Sequence, residues 1–173
     1  VFSKPGTDDP DGVMRDEAGM ATGELREFAA MSRVKNLSST GGREELGLSG
    51  LEPENVSSDQ READKAALRR AFEYCLQNGI TTAVNMDGNL YTLELLREIE
   101  NEGNLLCRVK VPFHFKNFMK PEDLSKASLM HATYKGDWLS SGLVKAFYDG
   151  VMEGFTAFLA DGYADRPGFK GDP

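Results

Sequence analysis

Histidine is scarce in this sequence: His114 and His131 are the only two in 173 residues. They lie far apart and in no ligand spacing, so the chain carries no paired-histidine metal motif of its own. Cysteine is equally scarce. Cys75 and Cys107 fall in a helix-like and a strand-like segment, which makes them reduced core residues rather than a disulfide framework and points to the cytoplasm. Basic charge is also in deficit: 20 Lys and Arg stand against 28 Asp and Glu, giving a net charge of −8 and a pI near 4.8. Without a basic cluster, neither nucleic acid nor an anionic membrane is expected as a partner. No apolar run reaches the roughly 18 to 20 residues that span a bilayer, and "VFSKPGTDD" lacks the order of a signal peptide. There is no Gly-x-Gly-x-x-Gly and no phosphate loop. "DDPDG" (8–12) and "DGN" (87–89) lack the acidic spacing and terminal Glu of a calcium loop and read as turns.

What remains is a chain with 40% hydrophobic residues, enough for one ordinary core. Residues 1–56 read as an insert or cap-like region and a mobile loop. Asp11-Gly12 and Ala18-Gly19 bracket a short run that predicts one arm of a hairpin, and a helix is expected from Glu24 to about Val34. Ser, Gly and Glu then dominate up to residue 56 without any period. From residue 57 the pattern sharpens. Leu68, Ala71, Phe72, Cys75 and Leu76 form a helical stripe, opened by a Ser57/Gln60 capping box and closed by Asn78-Gly79. Strands are expected near 80–85, 105–111 and 142–148, with helices in "YTLELLREIENEG" and, from Pro121, in "PEDLSKASLMHATY". Helices alternating with short β-branched strands imply an α/β fold with a parallel sheet.

The last expected strand, "GLVKAFYDG", holds Lys145 in its middle. A parallel strand covered on both faces gives that side chain little route to water. Desolvation disfavours the ammonium form, and a neutral amine is a nucleophile or base, or adds carbon dioxide to become a carbamate able to bridge metal ions. The plain alternative is a lysine that snorkels or pairs with a carboxylate such as Asp149.

Several segments together resemble a known family: "DGVMRDEAGMATGEL", "NGITTAV", "LLCRV" and above all "GLVKAFYDGVMEGFTAFLADGYADRPGFKG". The chain is similar to the metal-dependent amidohydrolases of the family 3 type, which include the N-substituted formamide deformylases. The likeness runs from about Asp9 onward. It implies a distorted (β/α)8 barrel with one or two divalent metals, usually zinc, at the C-terminal ends of the strands, where a metal-activated water attacks an amide-type C–N bond of a small molecule. In that frame residues 57–173 are part of a barrel, 79–85, 105–111 and 142–148 are its second, third and fourth strands, and Lys145 sits where superfamily members carry a carboxylated, metal-bridging lysine. Arg15-Asp16-Glu17 resembles a small insert near the active-site mouth, a charged turn being the alternative.

The departures from the family pattern are as informative. The His-x-His of the first strand, the histidines of the fifth and sixth and the aspartate of the eighth are absent. An incomplete barrel is therefore expected, from a truncated product, an expressed portion, or a chain completed by another copy or polypeptide. The isolated chain is expected to be inactive, because zinc needs about three protein ligands. His114, in "PFHFKNF" just past the third strand, is a candidate substrate contact on a loop. Phe113, Phe115 and Asp149 are candidates beside it, and Phe118 extends the aromatic cluster, which would otherwise pack over a strand. His131 reads as a surface or packing residue. The reading from a different class is a non-catalytic α/β module that uses open sheet edges to self-associate or to assemble with a partner.

Overall fold

The computed structural model describes residues 12–25, 34, 37, 40–43, 46 and 51–171. They group into two units, 1–38 with 147–173, and 39–146. The boundary expected at 56/57 thus falls inside the second unit.

In the first unit Asp16 makes a hairpin. Its Oδ1 accepts the backbone N–H groups of Ala18 and Met20 and closes the turn between β1 (Val13–Arg15) and β2 (Ala21–Leu25), which pair antiparallel. The expected hairpin is present, and Arg15-Asp16-Glu17 is its charged turn. The helix expected from Glu24 begins too early, since Glu24 and Leu25 belong to β2; residues 26–33 lie outside the described residues. Near the C-terminus a helix-free stretch buries Phe155, Ala157 and Tyr163. Tyr163 Oη donates to the Ala157 carbonyl at 2.8 Å.

The second unit starts from a strong helix signal. In α1 (Ser58–Gln77) the Gln60 N–H donates to Ser57 Oγ and the Ser57 N–H to Gln60 Oε1, the expected reciprocal cap. Ser57→Ala should cost about 1 kcal/mol of stability, read as a lower urea midpoint at unchanged slope. The other end closes with N–H donations from Gly79 to Leu76 and from Ile80 to Cys75. The inward stripe is rotated from the expected one. Phe72 is buried with Leu68 and Cys75 packed beside it, whereas Ala71 and Leu76 are exposed. The rotation follows from the partner helix α2 (Leu90–Asn101), which offers acids to the first turns of α1. Arg61 pairs with Glu98 at 2.6 Å, Lys65 with Glu102 at 3.1 Å, and Arg69 also with Glu102.

The segment before α1 is tied to both helices, which explains why the unit extends back past residue 57. Arg43 grips Asp64 with Nε at 2.7 Å and Nη2 at 2.8 Å, and Tyr91 Oη donates to the same carboxylate at 2.6 Å. Burial, followed by that carboxylate, pushes the Tyr91 phenol up to about 12. Glu52 accepts the Leu90 and Tyr91 N–H groups at the start of α2.

Strands follow in parallel. β3 (Thr82–Val84), β4 (Arg108–Lys110) and β6 (Leu139–Ser140) form one sheet in that order, and β5 (Phe113–Phe115) pairs with β7 (Val144–Ala146). Between β5 and β6 a 3₁₀ turn at Pro121–Asp123 leads into α3 (Leu124–Thr133). β4 with β5, and β6 with β7, are two longer strand lines, each interrupted once. Pro112 has no N–H to give the ladder, and the line opposite spends one extra residue across the break, so Val109 faces Leu139 while Phe113 faces Val144. Three parallel lines in chain order, each returning through a helix, are what one side of a barrel provides.

Leu93, Leu96 and Ile99 of α2 pack with Cys107, Val109, Val111 and Phe113 in the core. Burial alternates from Leu105 to Val111, leaving Leu106, Arg108 and Lys110 exposed. The sheet is therefore covered on one face by helices, while the opposite side of β4 is exposed from Leu106 to Lys110.

Candidate active site

The C-terminal ends of the parallel strands bring together three side chains that are distant in sequence. His114 on β5 and Lys145 on β7 are register partners, so they project side by side. Asp87 arrives from the turn after β3. That turn is pinned from both sides: the Asn85 N–H donates to the Lys110 carbonyl at 2.9 Å, the Asp87 N–H to Asn85 Oδ1 at 3.2 Å, and Asn89 caps α2 by accepting the Thr92 N–H at 2.9 Å. Between them Gly88 lies so close to Val111 that a Cβ there would stand 1.9 Å from Val111 Cγ1.

Asp87 Oδ1 is 2.9 Å from His114 Nδ1 and accepts from Lys145 Nζ at 3.2 Å. The His114 side chain is fully buried, Lys145 is 16% exposed and Asp87 27%. Burial holds the His114 pKa below the ordinary histidine value, the nearby Lys116 charge adding to the effect and Asp87 opposing it. Lys116, next along the chain from β5, is also held below the ordinary lysine value by burial, against the pull of Asp87. The imidazole is therefore neutral at pH 7, the form that can accept a proton or ligate.

These positions correct several expectations. His114 is in a strand, not on a loop. Lys145 meets Asp87, and Asp149 belongs to the other unit, where its Oδ2 accepts the Phe158 N–H at 2.8 Å. Phe113 is in the core and Phe115 packs against it, because odd positions of β5 alternate away from His114. Phe118 is 62% exposed. His131 is an exposed residue on α3, with Nδ1 3.0 Å from the Ser141 carbonyl. Cys107 is a free thiol pushed up by burial and donates to the Ile80 carbonyl at 3.1 Å. Asp87, which reads in sequence as a mere Asp-Gly turn, is the residue that reasoning from sequence missed. Its signal was position, directly after a parallel strand at the end where such folds place chemistry.

A neutral histidine, a carboxylate and a lysine gather at the C-terminal strand ends of an α/β fold, the end where such folds place their chemistry. The chain belongs to the amidohydrolase family, whose model matches residues 3–172. No curated protein and no solved structure matches it. The family generally uses divalent metals. Among the described residues no three His, Cys, Asp or Glu side chains gather into a metal site, yet Asp87 and His114 already supply one oxygen and one nitrogen donor on one spot. Lys145 becomes a third oxygen donor on conversion to a carbamate. No helix among the described residues is long and apolar enough to cross a membrane.

Proposed function

We propose that this chain contributes part of the active site of a zinc-dependent hydrolase acting on non-peptide C–N bonds of small amide-type molecules, of the N-substituted formamide deformylase kind. The observation that carries the reading is the convergence of Asp87, His114 and Lys145 within 3.2 Å of one carboxylate oxygen at the strand ends. Asp87, His114 and a carbamate on Lys145 would hold the metal. Bound there, a divalent cation would polarise the scissile carbonyl and acidify a water. The chain's own groups prepare that spot: the buried imidazole stays neutral with Nδ1 toward Asp87, and Asp87 orients Lys145 by its hydrogen bond. Lys116 adds a second amine whose charge burial disfavours. With a single candidate set of donors and none of the family's other histidines, the 173 residues alone are expected not to turn over substrate.

Zinc content by elemental analysis, with the oligomeric mass taken on the same sample, tests this reading. About one zinc per chain is expected after loading in bicarbonate, falling at least roughly tenfold in Lys145→Ala, since a three-donor site that loses one donor is open. Unchanged retention in that variant would remove Lys145 from the site.

A second reading has its own observation. The outer edges of β3 and β7 have no strand partner among the described residues, and Val84, Leu143 and Val144 beside them are about half exposed. These edges favour assembly with a second copy or with a polypeptide that completes the barrel. A monodisperse monomer by light scattering would count against it. The two free thiols suit a reducing cytoplasm.

A further inference from the structure

The interruption shared by the two longer strand lines is also a cavity. A space of about 150 Å³ lies there, lined by Lys110, Val111, Ser140, Ser141, Gly142 and Leu143. We propose that it binds a small oxyanion or carboxylate, at a place separate from Asp87, His114 and Lys145.

The side chains on its walls include hydroxyls and an ammonium and no acid. Ser141 is only 7% exposed, and its Oγ is buried with no hydrogen-bond partner. A buried hydroxyl left without a partner costs free energy, which a ligand can offset. The backbone adds to it. In a regular parallel ladder the Gly142 N–H would donate to the Val111 carbonyl after the Val111 N–H has donated to Ser140, but the extra residue shifts the next bond to Phe113 and Leu143. Among the described residues the N–H groups of Gly142 and Leu143 reach no backbone carbonyl. Lys110, exposed on the same wall, supplies a positive charge.

Gly142 is required for this shape. Its φ of +153° and its approach to His131, whose Nδ1 would stand 2.7 Å from a Cβ, leave no room for a side chain. His131 Nδ1 in turn lies 3.0 Å from the Ser141 carbonyl, and the Ser141 N–H donates to the Tyr134 carbonyl at 2.9 Å, which ties this stretch to the end of α3. One hydroxyl, two peptide N–H groups and one ammonium on a site of this size suit an anion between acetate and phosphate. The cavity shares no residue with the candidate active site: Lys110 and His114 are four residues apart on one strand line, or about 13 Å, while Leu143 stands two residues before Lys145 on the other.

The test is titration of the isotopically labelled protein with inorganic phosphate, and separately with acetate, following the Gly142 and Leu143 amide resonances. Saturable shifts of both are expected with at least one of the two probes, weakened roughly tenfold in Ser141→Ala and in Lys110→Gln and retained in Lys145→Met. Ser141→Ala removes a hydroxyl that bonds nothing and Lys110 is exposed, so both variants should keep the dispersed spectrum of the folded chain. Absence of saturable shifts at Gly142 and Leu143 with either anion would overturn the proposal and leave the space to water. Equal affinity in the two variants, or loss of binding in Lys145→Met, would overturn it as well. None of these results bears on the zinc measurement, so the two readings fail separately.

Discussion

Gly88→Ala is expected to destabilise the second unit by about 2–3 kcal/mol, and Val111→Ala in the same chain to recover a large part of that loss. The added methyl would meet Val111 Cγ1 at 1.9 Å and Cβ at 3.3 Å. Val111 cannot yield, since it is fully buried in the cluster that holds Leu96 and Ile99 and its β-branched side chain has few rotamers to move through. The turn itself must shift, and Asp87 with it. Urea unfolding of the two single variants and the double variant measures the coupling. Purely additive losses would show that Gly88 and Val111 are not in the contact described. If the turn moves, the zinc retention expected for the unaltered chain should fall in Gly88→Ala as well, although Gly88 offers no donor.

That contact also shows what was legible in the sequence. The caps of α1 could be read because their bonds are local: Ser57 needs only Gln60, and Ile80 needs only Cys75. That the strands run parallel could be read from short apolar runs set between helices. Where the partner decides, the reading slipped. Ala71 and Leu76 look like core residues on a helical wheel, but α2 presents Glu94, Glu98 and Glu102, so the contact face turned toward Arg61 and Lys65. β6 is two residues long and exists as a strand only because β4 lies beside it. The expected pairing of Lys145 with Asp149 rested on nearness in sequence. The pairing observed spans 58 positions and depends on the β5–β7 register, which leaves no local trace, and on the Gly88 turn, whose sequence shows a turn but not what Asp87 reaches. The missing histidines were legible, and they bound how much of a metal site this chain can supply.

Asp87→Asn should cost about 1–3 kcal/mol at pH 7 with almost no change in side-chain volume. Breaking a fully buried ion pair by removing one member costs about 3–5 kcal/mol, and this carboxylate is 27% exposed, so solvent returns part of it. The remaining cost is the loss of the Asp87 hydrogen bond to Lys145 Nζ, with the Lys116 charge close by. Asp87→Asn/Lys145→Met should therefore be more stable than Asp87→Asn alone, because the second change removes a half-buried charge that has lost its carboxylate hydrogen bond. His114 adds a pH dependence. Its proton is bound less readily in the folded chain than in the unfolded one, so its contribution is complete above about pH 6.5 and is lost as the pH falls from there toward the lower folded value. Asp87 is the group that opposes this depression, so Asp87→Asn should lower the histidine further and extend the acid loss to lower pH. His114→Gln should flatten the same limb. Unfolding free energies between pH 5 and 8 for these variants separate the two effects: a loss at pH 7 that Lys145→Met does not relieve would mean that Asp87 matters through its turn, and an acid limb unchanged in His114→Gln would mean that the imidazole is not the group that titrates.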